Sequence, residues 1–223
     1  MIVICEVEIA LHLVWLMPCL LIVRIGCHVE LNPVKPENIL VTKCRDVSYN
    51  GFQKLPESTR IKVIDFGGAT FDFEKKSTLI NTRQYRAPEV ILGCGWSMAS
   101  DLWSVGCILA ELYQGELLFA THDNLEHMAL IETIIGPWPR HMLQRANQLN
   151  SSLASEAFNA NGRHRMERLL PPENASYVLS MPPLESIVRK KKDSWFLSLL
   201  QSILTIDPES RASARDALRK SFG

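Results

Sequence analysis

Ile61-Lys62-Val63-Ile64-Asp65-Phe66-Gly67 is the stretch on which the reading of this chain turns. A β-branched run ends in an acidic residue and runs into a glycine, the composition of a strand leading into a tight turn. A second such run, Ile39-Leu40-Val41, follows Lys35-Pro36-Glu37-Asn38. Residues 43–59, between the two runs, are rich in Asn, Gly, Pro, Ser and charge, and read as a loop. If the runs pair antiparallel, the start of the first lies beside the end of the second. The amide of Asn38 and the carboxylate of Asp65 then converge. Their oxygens, completed by waters and phosphates, suit a hard octahedral Mg²⁺. Taken alone, the same residues also make an ordinary hairpin with Asn and Asp as turn formers.

Downstream the chain reads as helical. Residues 70–86 are polar, with few large apolar anchors, and read as an exposed loop ending at Tyr85-Arg86-Ala87-Pro88-Glu89. Ser97 then caps a helix whose apolar positions Met98, Leu102, Val105, Leu109 and Leu112 alternate steps of four and three, and Gly115 stops it. Asp101 lies inside this helix, either on a wet face or buried with partners. A second helix is expected over 124–135, with Leu125, Met128, Ala129, Ile131 and Ile135 as its apolar face, closed by Gly136-Pro137. Residues 144–183 turn polar and Pro-punctuated and are expected to hold at most short helices, such as 165–170. Amphipathic helices are expected over 195–206 and 211–220, the latter capped by Ser210 or Ser213.

The bulk numbers narrow the classes. The chain has 223 residues, 47% of them hydrophobic, with 24 basic against 24 acidic side chains. Neutrality gives no support for a nucleic-acid platform or a polybasic membrane surface. The cysteines Cys5, Cys19, Cys27, Cys44, Cys94 and Cys107 include no Cys-x-x-Cys pair and read as thiols rather than a disulfide frame or zinc site. Residues 1–27 form a hydrophobic amino-terminal segment, and 28–223 the remaining domain. The run 9–23 is shorter than the roughly 20 residues of a membrane span and contains Pro18. A buried helix, a membrane anchor and a misassembled amino end all stay open for it. Lys190-Lys191-Lys192 reads as a solvated face rather than a nuclear address.

Combined, these stretches resemble the carboxyl-terminal lobe of eukaryotic protein kinases, and more narrowly the LAMMER or CDC-like group. Thr121-His122-Asp123 with Glu126-His127-Met128-Ala129-Leu130-Ile131-Glu132 is similar to that group's Glu-His-Leu-Ala-Met-Met-Glu-Arg signature. Residues 77–92 are similar to its activation and substrate loop, and 43–59 match an insertion that it carries. The resemblance implies a mainly α fold, a helical bundle with a small β-hairpin carrying the metal-binding residues. It further implies ATP and Mg²⁺ as cofactors, with phosphoryl transfer to Ser/Thr of Arg/Ser-rich splicing proteins in the nucleus or cytoplasm. No direct nucleic-acid contact is expected.

Position by position, the resemblance makes Asn38 and Asp65 the Mg²⁺ holders. Lys35 becomes the neutraliser of the transferred phosphoryl group, and Thr82 a wall of the cleft, with 82–86 receiving the substrate. Glu89 and Arg211 become a buried structural ion pair, and Asp101 a clamp on the catalytic loop. Two departures stand out. The family's loop reads His-Thr-Asp-Leu-Lys-Pro-Glu-Asn, and aligned without a gap Pro33 occupies its Asp position. With Asn32-Pro33-Val34 taken as an insertion, Glu30 becomes the candidate base, displaced by residues that each span roughly 3.3–3.6 Å. Nor does a Gly-rich loop or Val-Ala-Ile-Lys strand precede His28, so the amino-terminal lobe is expected to be missing and transfer by this chain impaired.

Overall fold

The computed structural model describes residues 29–30, 34–41, 44–47, 53–56, 61–71, 74, 80–159, 161–162, 164–188 and 193–222. The apolar run 9–23, Pro33 and Lys190-Lys191-Lys192 lie outside them.

Six short strands make three antiparallel pairs among the described residues: β1 (Val29–Glu30) with β6 (Thr70–Phe71), β2 (Ile39–Val41) with β5 (Ile61–Val63), and β3 (Cys44–Val47) with β4 (Gln53–Pro56). The second pair is the hairpin expected from the β-branched runs, with Ile39 opposite Val63 and Val41 opposite Ile61. Its alternation is physical: Ile39, Ile61 and Val63 pack on the core while Leu40 and Lys62 are exposed. The stretch expected to be a loop over 43–59 instead contains the β3–β4 hairpin. Its polar residues are compatible with a ladder whose backbone bonds are satisfied across the pair.

Ten helices follow among the described residues: α1 (Pro88–Ile91), α2 (Met98–Gln114), α3 (Asn124–Ile134), α4 (Arg140–Gln148), α5 (Ser152–Ala157), α6 (Met166–Leu169), α7 (Pro172–Ser180), α8 (Leu184–Ile187), α9 (Ser194–Ile203) and α10 (Ala214–Phe222). The start and stop of α2 are those expected. The Ser97 side chain accepts from the Ala99 N–H, and the chain leaves the helix at Gly115 with φ 86°. From Leu102 to Ala110 every residue of α2 is buried, so this helix is the axis of the core. Trp103 stacks on Phe119 with ring centroids 5.9 Å apart. The ambiguity at Asp101 resolves toward burial, at 7% exposed, and it is not without a partner. Ser213 rather than Ser210 starts α10, its hydroxyl accepting from the Asp216 N–H at 3.2 Å.

One expectation for the helices fails. The α3 helix does not have a single apolar face: Glu126, His127, Met128, Ala129, Leu130, Ile131 and Ile134 are all buried, while Leu125 and Ile135 are only partly so. Contacts with α1, α5, α6 and α7 explain this, because a helix packed on several sides has no wet face to keep polar. Residues 144–183, expected to hold at most short helices, hold α5, α6 and α7 and the end of α4. Each is short and held by a few buried residues such as Leu143, Ala146, Ala154 and Val178. Cys94 and Cys107 are free thiols, and burial pushes both above their usual range. No helix of the described residues is long and apolar enough to cross a membrane.

The helices α2 and α9 approach closely at Gly106. A Cβ on Gly106 would stand 2.7 Å from Leu204 Cδ2 and 3.2 Å from Ile203 Cγ1, both in fully buried side chains. Gly106→Ala should therefore destabilise the fold by about 1–3 kcal/mol through overpacking. The gain of about 1 kcal/mol in helix propensity offsets only part of that. Urea unfolding measures the balance, and an unchanged or raised midpoint would refute the close approach.

Candidate active site

The turn before β2 sets the first half of the site. Pro36 opens the 3₁₀ turn Pro36–Asn38, and the Asn38 N–H donates to the Lys35 carbonyl at 3.0 Å. The Ile64 N–H donates to the Asn38 carbonyl at 2.9 Å, which carries the β2–β5 pairing one step further and brings the two chain segments together. Across this junction Asn38 Nδ2 donates to Asp65 Oδ2 at 3.3 Å. Asn38 is 6% exposed and Asp65 is open to solvent, so a buried amide orients an accessible carboxylate.

Asp65 adopts φ 62°, in the left-handed region that a short polar side chain tolerates. The Ala69 N–H closes the following turn on the Phe66 carbonyl at 3.0 Å. A Cβ on Gly67 would lie 3.5 Å from Asp65 Oδ1, so glycine keeps the space beside that oxygen clear. With Asn38 Nδ2 engaged by the carboxylate, Oδ1 is the Asn38 atom a cation would use. One carboxylate and one amide oxygen fit Mg²⁺, which takes few protein ligands and fills its other positions with water and phosphate.

The other expected residues are placed as follows. Lys35 is partly buried at the start of the 3₁₀ turn, and Thr82 is exposed at the start of a second one, Arg83–Tyr85. No hydrogen bond among the described residues ties either side chain to the Asn38–Asp65 pair. Glu30 stands in β1 opposite Thr70 of β6, and its side chain lies outside the described residues. Glu89 and Arg211 form a bidentate pair at 2.8 and 2.9 Å.

The stretch before α1 is less exposed than its polarity suggests. Arg86 is buried, donating from Nε to the Ile80 carbonyl and from Nη2 to the Asn81 carbonyl, each at 3.0 Å. Burial and the nearby Arg83 lower its affinity for the proton. Ser104 of α2 donates to the Tyr85 carbonyl at 2.7 Å and accepts from Asn81 Nδ2 at 3.1 Å. Tyr85 donates its hydroxyl to Glu111 at 2.7 Å; burial and that carboxylate push the phenol well above its ordinary range.

The same stretch is bound to the start of α3. Gln84 Nε2 donates to the Thr121 carbonyl at 3.1 Å and Arg83 donates to Asn124. Asp123 caps α3 through the Leu125 and Glu126 N–H groups, while Thr121 donates to Glu126, which also accepts from Asn174 Nδ2 at 2.8 Å. Thr121 and Asn124 thus fasten residues 83–84 to the start of α3, and Asp123 and Glu126 fix that start in place. Sequence reasoning missed Asn81 and Ser104, and gave Gln84 and Arg86 only as part of the substrate-receiving stretch 82–86. Their partners lie up to 37 residues away and follow no periodicity.

Comparisons with known proteins agree with this geometry. A family profile described as "Protein kinase domain" matches residues 28–223. Serine/threonine-protein kinase AFC2 of Arabidopsis thaliana is 39% identical over 213 residues, spanning 87% of this chain and 47% of that protein. Dual specificity protein kinase CLK1 of Homo sapiens is 40% identical over 204 residues, spanning 87% of this chain and 40% of that protein. Dual specificity protein kinase lkh1 of Schizosaccharomyces pombe is 38% identical over 203 residues, with 28% of its length covered. A solved structure, the kinase domain of PF14_0431, superposes with a TM-score of 0.83 at 38% identity, covering 96% of this chain and 65% of that one. The chain thus spans half or less of the length of these curated relatives. Across the 28–223 match, which takes in both the Asn38–Asp65 junction and the signature helix, the chain belongs to the protein kinase family.

Proposed function

We propose that this chain is the magnesium-holding and substrate-receiving part of a LAMMER-type kinase, acting on Ser/Thr of Arg/Ser-rich proteins in the nucleus or cytoplasm. The observation that carries the reading is the 3.3 Å contact between the Asn38 amide and the Asp65 carboxylate. Bound Mg²⁺-ATP would supply the phosphoryl group and neutralise its charge. Asn38 and Asp65 hold the ion, Lys35 balances phosphoryl charge, and Thr82 with residues 83–86 receives the acceptor segment. Arg86 and Ser104 keep that platform rigid, which matters because phosphoryl transfer is mostly a matter of positioning.

The test is Mg²⁺-dependent ATP binding and transfer to an Arg/Ser peptide. Asp65→Ala should weaken Mg²⁺-dependent nucleotide binding, and any transfer should fall at least about a hundredfold. Equal binding by wild type and variant would sink the reading. The departure at Pro33 favours a second reading, a non-catalytic module that keeps the substrate platform. Peptide binding indifferent to Mg²⁺-ATP would select it.

A further inference from the structure

Residues 140–165 carry four arginines and a single glutamate, in a chain whose formal net charge is zero. Part of that excess surrounds a cleft of about 460 Å³ formed by α4, α5 and the segment that follows α5. The residues lining it include Arg140 and Arg165, the amides Gln144, Asn147 and Asn159, and Phe158. No carboxylate is among the described residues lining it. Neither guanidinium has an ion-pair or hydrogen-bond acceptor among the described residues, whereas Arg145, on the same helix as Arg140, has Glu209 at 3.8 Å. The cleft uses none of the residues of the Asn38–Asp65 site.

Two unpaired guanidinium forks on one cavity bring two positive charges and up to ten N–H donors, with further donors from the carboxamides. A single carboxylate balances one of those charges. A phosphate monoester carries about −1.5 to −2 and three acceptor oxygens, which matches both forks at once. Arginine rather than lysine also favours planar, bidentate recognition. The volume lies within the roughly 300–1,000 Å³ range of ligand clefts, leaving room for residues flanking the phosphoryl group.

We propose that this cleft binds a phosphoryl dianion, carried on a phosphorylated serine or threonine of a polypeptide. The proposal does not rest on the kinase reading, because the binding needs no ATP and involves no catalytic residue.

The experiment measures fluorescence anisotropy of a neutral Gly/Ala peptide carrying one phosphoserine, titrated with the full chain, against its unphosphorylated twin. The phosphorylated peptide should bind at least about tenfold more tightly than the twin. Arg140→Ala and Arg165→Ala should each lose about tenfold, with Arg→Lys recovering part of it. Arg140 and Asn147 are exposed, so Arg140→Ala and Asn147→Asp should melt like wild type while still losing peptide. Inorganic phosphate should compete only at much higher concentration. Equal binding of the two peptides, or indifference to both arginines, overturns the proposal. Competition by inorganic phosphate at the affinity of the peptide overturns its polypeptide part and leaves a free-phosphate site.

Discussion

Arg211→Met should cost about 3–5 kcal/mol of stability, read as a lowered urea midpoint with an unchanged slope. All five guanidinium N–H donors of Arg211 are used. Two go to Glu89, and the others to the carbonyls of Thr205 at 2.9 Å, Ala99 at 2.7 Å and Ile206 at 3.1 Å. The group also lies over the Trp103 ring, 5.2 Å from its centroid. Its carboxylate partner is 3% exposed and accepts further from the Ser100 hydroxyl at 2.8 Å. Loss of either member strands a buried charge, so Glu89→Gln should be comparably harmful. The double variant should lose less than the sum of the two singles, because no lone charge then remains. Single-variant losses below about 1 kcal/mol, or strict additivity, would show that the pair does not hold the α1–α2 junction to the segment before α10. A domain stable by about 5–15 kcal/mol cannot absorb many such losses.

The parts of this molecule that could be read from sequence are those in which one local rule decides the outcome. Alternating β-branched residues pair β2 with β5, and that pairing alone sets Asn38 beside Asp65. A serine at one end and a glycine at the other delimit α2. The helix starts of region 139–184 were harder to read for a different reason. Pro172 stands at the first position of α7, and Pro139 and Pro183 directly precede α4 and α8. A proline is tolerated at a helix start, where its missing N–H costs nothing, so these prolines mark beginnings although they read as interruptions. The buried polar network around residues 80–86 and 121–126 was illegible because its bonds join segments far apart in the chain. The same holds for Tyr113, which donates to Asp193 eighty residues on. Polar residues of that kind look like loop in a linear reading and become core only once the helices have packed.

Acidification from pH 7 to pH 5 should remove about 2 kcal/mol of stability through His127 alone. This residue is fully buried in α3, its ring 5.2 Å from that of Phe119, and neither ring nitrogen has a hydrogen-bond partner. Burial is the main cause that holds its pKa down to about 3, and the charges of Arg86 and Arg83 act in the same direction. The sign follows from where the proton goes. The unfolded chain takes it up near pH 6.5, while the folded chain refuses it until about 3, so stability falls steadily as pH drops below 6.5 and is unaffected above. His164, partly buried against Phe158 and held at about 4, adds to the same slope. Carboxylates such as Asp207, whose bonds to Ser210 and the Glu209 N–H lower its pKa, contribute only at more acid pH. His127→Phe or His127→Leu should therefore flatten the dependence between pH 7 and 5 by about 2 kcal/mol, whatever either does to stability at pH 7. Chemical denaturation across that range gives the slope directly. An unchanged slope in both variants would mean that the imidazole finds a partner or solvent when protonated, and that the contact between α3 and residues 80–86 is looser than the buried ring implies.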